Sequence, residues 1–303
     1  MGRISSLIIL ISFATVLQLR GQDYVDLFKA YYANTPLNAF DSADAQTRVE
    51  EMGFSSVLPI QLDSTKYLLT GVNFERLSTR TAPEKTDITS VYTVLMKFGL
   101  SVNHNARWTG TYMFLPKLSS DLREVGRKDF QYGGLVYFKY HKSHRLKYQF
   151  GLYFNSELFG PFFVALAGIY YQSADARFEA NLNLPLLADV NYRLFNKFRA
   201  GMEFDAFVNS YYINQPQYSL NNEYLVKRSN ELFIYAHIDL SQSIILKTRV
   251  GYTIGRQYAL YDARDQVTFG FSAFRFGDDR EQLNRDFADG MIFKIDLIYR
   301  YNR

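Results

Sequence analysis

Near the end of the chain, two kinds of side chain alternate, and this alternation restricts the fold more than any other feature. From Met291 to Tyr301 every second residue is apolar or aromatic, while Lys294, Asp296 and Arg300 fall on positions between them. A β-strand sends successive side chains to opposite faces, so this segment has one wholly apolar face and one charged face. Such a strand fits the wall of a β-barrel that crosses a membrane, with its apolar face toward lipid.

The same alternation recurs through most of the chain. It is clearest in residues 90–102, 198–209, 231–240 and 244–254, each at least ten residues long. Strands of that length cross a bilayer at a tilt, whereas strands of soluble β-sandwiches cluster near ~5–6 residues. We therefore predict an all-β fold, a transmembrane up-and-down antiparallel β-barrel. A less regular form of the pattern covers Tyr24–Tyr32, Val49–Leu62, Tyr67–Leu77, Arg107–Lys117, Phe130–Tyr140, Leu146–Asn155, Phe162–Tyr171, Phe178–Leu184 and Leu186–Tyr192.

Pro185 decides how many strands the pattern contains. If it marks a tight turn between residues 178–184 and 186–192, the barrel has about fourteen strands. An even number places both termini at one end of the barrel, as in bacterial outer-membrane proteins. If residues 178–192 are instead one kinked strand, this parity fails, and twelve strands is the alternative. Residues 266–276 alternate too, and we place them inside the last outer loop as a protruding ribbon.

The connections between predicted strands alternate in length, as expected for short periplasmic turns and longer outer loops. The short ones are Leu62–Lys66, Asn103–Ala106, His141–Arg145, Gln172–Ala176, Leu194–Lys197 and Ser241–Gln242. The longer ones are Asn34–Gln46, Arg80–Asp87, Ser119–Asp129, Ile213–Asn222 and Asp262–Asp289.

Residues 1–21 have the features of a secretory signal peptide, which leaves residues 22–303 as the barrel domain. Arg3 supplies a positive charge, Leu7 to Leu17 is an apolar stretch, and Gly21 is a small residue before the expected cleavage point. The rival interpretation is a transmembrane anchor, but the apolar stretch is shorter than the ~18 residues that a membrane-spanning helix needs.

Composition excludes several other classes of protein. The chain has no cysteine, so it has neither a disulfide framework nor a cysteine for an N-terminal lipid anchor. Its net charge of +4 is spread over residues of both signs. No basic run or nucleic-acid motif is present, so we predict no nucleic-acid partner. The predicted partners are outer-membrane lipid and, during insertion, the barrel-assembly machinery.

Several stretches together carry a resemblance to a known family. They are Gly160-Pro161-Phe162-Phe163 through Ile169-Tyr170-Tyr171, Leu184-Pro185-Leu186, Asn191-Tyr192-Arg193-Leu194-Phe195-Asn196-Lys197, Val250-Gly251-Tyr252-Thr253-Ile254 and the tyrosine-rich tail. The chain resembles an uncharacterised outer-membrane β-barrel family of Bacteroidota that is classed only as a domain of unknown function. The resemblance covers nearly the whole mature chain. It implies the fold and a location in the outer membrane of a Gram-negative bacterium, and it implies no catalytic or binding residues.

Charged residues of the polar faces collect mainly in the C-terminal half. If these faces point inward, the lumen holds a charge cluster of Asp189, Arg193, Arg199, Glu203, Asp205, Glu231, His237, Asp239, Lys247, Arg249, Lys294 and Asp296. Hairpin pairing brings Lys247 or Arg249 opposite His237 and Asp239. We interpret the cluster as an internal salt-bridge network, because charges packed inside a barrel must pair. A charged pore constriction and a proton-transfer site built on His237 stay open as alternatives.

The leading hypothesis for function is a non-enzymatic outer-membrane barrel that forms a narrow solute channel or a plugged barrel. One rival is a structural barrel whose outer loops bind a partner, and another is a lipid-modifying enzyme centred on His237. An enzyme of that kind needs a nucleophile, a base and an orienting group, and no serine has a visible claim to partner His237. A metal site at His141 and His144 is less expected than a solvated turn. We therefore predict no metal and no cofactor.

Overall fold

The computed structural model describes residues 24–40, 46–81, 89–214 and 222–302, and most of these residues lie in β-strands. The predicted signal peptide lies outside the described residues. The one helix in the described ranges is a 3-10 turn, Arg127–Asp129. Within the same ranges, no helix has the length and apolar character that crossing a membrane requires.

The strands form one sheet that closes on itself. In chain order they are β1 (Tyr24–Ala39), β2 (Gln46–Ser56), β3 (Leu58–Gln61), β4 (Lys66–Thr79), β5 (Thr89–Asn103), β6 (Trp108–Ser120), β7 (Phe130–His141), β8 (Leu146–Glu157), β9 (Gly160–Gln172), β10 (Phe178–Leu184), β11 (Leu187–Phe195), β12 (Phe198–Ile213), β13 (Glu223–Asp239), β14 (Ile244–Asp262), β15 (Phe269–Phe271), β16 (Phe274–Phe276) and β17 (Met291–Asn302). β1 closes the barrel by pairing antiparallel with β17. Because β2 and β3 form one wall strand, and β15 and β16 form a hairpin within a loop, the wall has fourteen strands.

The tight turn at Pro185 is confirmed, since β10 and β11 pair from Asn183↔Leu187 to Phe178↔Tyr192. The fourteen-strand prediction is therefore correct, and the single kinked strand, with its twelve-strand alternative, is wrong. β1 begins and β17 ends at the same end of the barrel, here termed the inner end, and the opposite end is termed the outer end. The predicted short turns lie at the inner end, and the strands that flank the predicted long connections have those ends at the outer end. Residues 41–45, 82–88 and 215–221 of these connections lie outside the described residues.

The outward face of the wall is apolar, and the inward face carries the charges. On β17, Met291, Ile295 and Tyr299 keep 43–48% of their surface exposed, whereas Asp296 is completely buried. A soluble barrel has the reverse arrangement, because water favours charged groups on the outside. The wall is therefore built to contact lipid, and the predicted transmembrane barrel is confirmed.

The barrel wall is shorter at β10 and β11 than at the strands beside them. β10 and β11 have 7 and 9 residues, whereas the neighbouring β9 and β12 have 13 and 16. Because β10 reaches β9 only as far as Ala167, the outer half of β9 has no wall strand on that side.

The β15–β16 hairpin, here termed the insert, occupies this place. Gly270 and Phe271 of β15 pair in parallel with Phe162 and Phe163 of β9. The alternating segment thus forms a hairpin in the last outer loop, but the prediction that it protrudes is wrong. It docks because the free edge of β9 offers unpaired backbone groups, and β15 hydrogen-bonds to them.

The outer ends of β12, β13 and β14 leave the wall and cross the lumen. These residues, 206–213, 223–230 and 253–262, are here termed the flap. Five wall strands separate β12 from β6, yet Tyr212 pairs with Ser120. Asp121, directly after β6, donates its backbone N–H to the Tyr212 carbonyl at 3.1 Å. Strands that are this far apart in the sheet do not meet along the wall. The hydrogen bond between Asp121 and Tyr212 therefore requires the flap to span the lumen.

The bend that starts the flap has a local cause. The pairing of β13 with β14 slips between Arg228 and Asn230, which marks a β-bulge. Gly255 lies in this bulge with a φ of +64°, in the left-handed region that favours glycine. Asp289 then accepts hydrogen bonds from the backbone N–H groups of Gly255 and Arg256, each at 2.9 Å. The bulge turns the strand, and the carboxylate holds the turn.

An apolar core seals the outer end under the flap. Tyr211, Ile213 and Leu225 of the flap pack with Leu77 and Val91 of the opposite wall, and all are fully buried. The same core contains Phe40, Val49, Tyr258, Leu260 and Phe287. Burial of one such apolar side chain contributes about 1.5–3 kcal/mol, so the core is a main source of stability for the closed flap.

Candidate functional site in the barrel lumen

Arg249 stands at the centre of a buried ion-pair cluster in the lumen. Its guanidinium lies 2.9 Å from Glu203 Oε1, 3.2 Å from Asp205 Oδ2 and 2.7 Å from Asp296 Oδ1. The Arg249 side chain has no exposed surface. The partners come from β12 and β17, and barrel closure places β17 beside β14. Charges this deeply buried are stable only when paired. Arg249 contacts all three carboxylates, while Lys247 also contacts Glu203 and Lys29 lies 3.3 Å from Asp296 Oδ1.

Lys247 extends the cluster toward the inner end. Its ammonium contacts Glu203 and lies 3.2 Å from Asp189 Oδ2. It also sits 3.8 Å from the centre of the Tyr235 ring, whose hydroxyl donates to Asp189 at 2.8 Å. Lys247 therefore has carboxylate and aromatic partners on several sides, which fixes its position in the lumen.

The structure brings together only part of the predicted charge cluster. The residues that meet around Arg249 and Lys247 are Asp189, Glu203, Asp205, Lys247, Arg249 and Asp296. Arg193, Arg199, His237 and Asp239 line cavities toward the inner end. Glu231 is buried without a contact to Arg249 or Lys247, and Lys294 stacks 4.7 Å from the ring of Tyr31.

The hairpin register decides which cation faces His237. Lys247 pairs with His237 as predicted, whereas Arg249 pairs with Tyr235, so the alternative placement of Arg249 is wrong. His237 Nε2 lies 3.0 Å from Asp239 Oδ1, and in the described part of the chain its ring has no hydrogen bond to a serine. The His237 ring is therefore held by a carboxylate and is not joined to a nucleophile.

The predicted turn histidines do not come together with other metal-binding side chains. His141 Nε2 lies 3.2 Å from the Thr109 hydroxyl. Across residues 24–40, 46–81, 89–214 and 222–302, no group of three or more His, Cys, Asp or Glu could hold a metal ion.

A second ion-pair group, missed by sequence reasoning, ties the flap to the opposite wall. Lys227 of the flap lies 2.7 Å from Glu51 Oε2 and 3.1 Å from Glu75 Oε1. The hydroxyl of Tyr211, also in the flap, donates to Glu75 at 2.7 Å. Two flap strands, β12 and β13, therefore bind carboxylates of β2 and β4.

A third group holds the flap against β6 and β8. The line of contacts between the flap and the opposite wall is here termed the seam. Lys117 lies 2.9 Å from Glu157 Oε1 and donates to Asn209 of the flap at 2.7 Å. Glu157 in turn accepts the backbone N–H of Ser210 at 2.9 Å. The side chains of β6 and β8 thereby satisfy polar groups that β12 exposes when it leaves the wall.

These seam residues were missed for a local reason. Lys227 and Glu157 lie just beyond the ends of the strands that the alternation predicted. Glu51 and Glu75 did lie on polar faces of the less regular strands, which was the available signal. Nothing local indicated that these faces meet a strand from across the barrel.

A water-accessible vestibule occupies the inner end of the lumen. A cavity of about 760 Å³ is lined by Tyr24, Arg193, Lys197, Arg199, Asp239, Ser241, Gln242, Ile245 and Arg300. A deeper cavity of about 370 Å³ reaches Lys247 and Glu203. The lumen is thus accessible from the inner end as far as the ion-pair cluster and closed above it by the flap.

Comparisons with known proteins give a family and several solved structures of low sequence identity. A family model described as a domain of unknown function (DUF6268) matches residues 42–287. No curated protein matches the chain.

Three solved structures illustrate the distance of the structural likeness. An outer membrane channel from Pseudomonas putida F1 has 6% identity and a TM-score of 0.47, with 92% of this chain and 95% of that chain covered. The P. putida toluene transporter TodX has 8% identity and a TM-score of 0.42, with coverage of 92% and 91%. The NanC porin has 9% identity and a TM-score of 0.36, with coverage of 90% and 98%.

Proposed function

Since the chain belongs to the DUF6268 family, whose function is unknown, we propose a role from its own geometry: a gated outer-membrane channel whose gate is the flap. The single observation that carries the proposal is the bond from Asp121 to Tyr212, by which a wall strand closes the lumen from within. The vestibule reaches from the inner end to the ion-pair cluster and supplies the inner part of a solute path. The flap is the only described part of the wall that crosses the lumen.

The exposed apolar belt supports the membrane location. Antiparallel barrels with an apolar outside and a charged inside are the spanning proteins of outer membranes, because closure pairs every edge strand. The predicted signal peptide fits export to that membrane in a Gram-negative bacterium. An origin in Bacteroidota and the absence of an enzymatic activity stay predictions.

The contacts that hold the flap support a gate better than a permanent plug. Along the seam, the flap is held through a backbone bond at Tyr212 and through the groups around Lys227 and Lys117. Water can replace these polar contacts when the flap swings away, whereas the apolar core under the flap favours the closed position. The bend at Gly255 supplies a point about which β14 can turn. A plugged barrel that never opens is the competing outcome of the test.

A disulfide across the seam tests the gate, and the chain has no native cysteine to interfere. Ser120 and Tyr212 are direct strand partners, and a disulfide spans roughly 4.4–6.8 Å between Cα atoms. We expect the Ser120→Cys/Tyr212→Cys double variant to be silent in planar bilayers when oxidised and to recover the single-channel steps of the wild type when reduced. The two single variants are the matched controls.

Two results decide against the gate. If the oxidised double variant conducts as the wild type does, the solute path does not run past the flap. If neither the wild type nor the reduced variant opens at any voltage, the protein is a plugged or structural barrel, and partner binding by its outer loops becomes the leading role.

A further inference from the structure

Inward movement of the flap leaves a space behind it, in the wall above the short β10–β11 hairpin. Below, the space is bounded by the hairpin tip at Leu184 to Leu186, and above by the insert tip at Ser272 and Ala273. Phe162 of β9 forms one side. The enclosed volume is about 330 Å³, and this space is here termed the lateral cleft.

The lateral cleft is apolar and open to the lipid-facing side. Phe204, Ala206 and Val208 line it from β12, on the same strand face as Met202, which is 55% exposed on the outside of the wall. Leu184 lines the cleft and is itself 51% exposed. An apolar molecule dissolved in the membrane can therefore reach the cleft without crossing water.

Two arginines give the apolar cleft a positive end, and no Asp or Glu is among its lining residues. Arg228 lies opposite Val208 on the flap and, among the described residues, has no hydrogen bond or ion pair. Arg275 of the insert donates to the carbonyls of Ser272 and Phe274, at 3.2 and 3.0 Å. The two guanidinium groups repel each other.

An anion between these two groups removes their repulsion and supplies the missing partner of Arg228. Both arginines are half-buried. Guanidinium groups bind carboxylates in a two-pronged geometry. The rest of the cleft is lined mainly by apolar side chains, with Asn230 and Ser272 as the polar exceptions. The lining thus matches a molecule with an anionic head and an apolar chain.

The volume restricts the size of that molecule. A space of about 330 Å³ has room for one apolar chain of medium length. A two-chain lipid is far larger. A single medium-chain carboxylate, about the size of decanoate, fits the space.

We propose that the lateral cleft is a binding site for a single-chain anionic amphiphile, a medium-chain carboxylate, which enters from the membrane between the β10–β11 hairpin and the insert. The proposal rests on the membrane location in the proposed function, but not on the gate. The bound chain lies against the outward face of the flap, where Val208 and Arg228 face it. The site therefore adjoins the flap.

The test uses the full protein in lipid nanodiscs and a decanoate probe with a photoreactive diazirine near its far end. Peptide mass spectrometry locates the crosslinks. We expect them to concentrate in residues 184–186 and 204–208 and to fall at least fivefold with excess decanoate. Decanol, which lacks the charge, should compete roughly tenfold less well, because a charge-assisted hydrogen bond contributes about 1.5–3 kcal/mol.

Three variants separate a built site from general lipid contact. Arg228→Gln and Arg275→Gln should each weaken binding roughly tenfold. Ala273→Phe fills the cleft without a change in charge and should abolish the specific crosslinks. Arg145→Gln, at an exposed inner turn, is the matched control and should bind as the wild type does.

Several outcomes overturn the proposal. They are labelling spread evenly over the apolar belt, equal competition by decanol, and specific labelling that survives all three cleft variants. Failure of the gate proposal gives a different result from failure of the cleft proposal. The protein then does not conduct in planar bilayers, but the specific crosslinks are still found. Failure of the membrane location is separate again, since the protein then stays soluble without detergent.

Discussion

Asp289 Oδ2 accepts the backbone N–H of Gly255 at 2.9 Å, at the point where β14 leaves the wall and becomes part of the flap. A residue of the last outer loop thus fixes the bend on which closure of the lumen depends. The left-handed φ of Gly255 makes the bend possible, and the carboxylate of Asp289 selects it. The last outer loop and the flap are therefore mechanically connected, which several substitutions can test.

Asp289→Ala should loosen the flap. It removes two hydrogen bonds to an ionised acceptor, each worth about 1.5–3 kcal/mol, and leaves the backbone N–H groups of Gly255 and Arg256 without that partner. We expect faster hydrogen exchange in residues 253–262 and more frequent openings in planar bilayers. Asp279→Ala, at an exposed position of the same loop, is the control. Exchange rates equal to those of the wild type would show that Asp289 does not hold the bend.

Lys227→Met should weaken the seam at a buried ion pair. The change leaves Glu51 and Glu75 without their shared cation, so the flap loses its ionic hold on β2 and β4. We expect the open probability in planar bilayers to rise severalfold, with the sheet retained by circular dichroism. Lys197→Met, at the exposed edge of the vestibule, removes the same charge without touching the seam. Equal open probabilities for the two variants would contradict the proposed gate.

Arg249→Met should destabilise the whole barrel rather than the gate alone. Breaking a buried ion pair from one side costs about 3–5 kcal/mol, because the remaining carboxylates stay buried. Lys247 beside Glu203 and Lys29 beside Asp296 then balance them only in part. The measurement is the urea dependence of folding into lipid vesicles. Adding Glu203→Gln should recover part of the loss. Arg48→Met, which removes an exposed ion pair with Glu50, should change stability by less than about 1 kcal/mol.

Ile295→Arg tests the direction in which the wall faces. Ile295 is 43% exposed, and a soluble protein tolerates a charge at such a position. In lipid, an arginine on the outward face costs up to about 2–4 kcal/mol. We expect a loss of that size in vesicle folding, and no comparable loss for Glu124→Arg in an outer loop. Wild-type stability of Ile295→Arg would place that face of β17 outside the membrane.

How far the sequence predicts the fold can be judged from particular elements. The period of two is a local property, because strand geometry alone sends Met291, Phe293 and Ile295 to one face. Pro185 likewise gives the β10–β11 turn, since a proline between two alternating segments marks a break that neighbouring residues reveal. The inward assignment of Asp296 and Arg249 followed from the same alternation.

The sequence pattern did not predict contacts between residues that are far apart in the chain. The insert has the alternation of a wall hairpin, but its docking on β9 depends on how short β10 and β11 are relative to their neighbours. Lys227 finds Glu51 only because the flap crosses the barrel, and no spacing in the sequence encodes the distance between opposite walls. The register that places Arg249 beside Tyr235 also required the hairpin itself.

The sequence by itself therefore determined the wall, an all-β chain with a lipid-facing side and a charged side. It did so because the side chains alternate with a period of two residues. Only the tertiary structure decided that the lumen is closed, because closure comes from a bulge at Gly255, a clamp from Asp289 and contacts such as Asp121 with Tyr212. These groups lie far apart in the chain and meet only once the barrel has closed and the flap has bent inward.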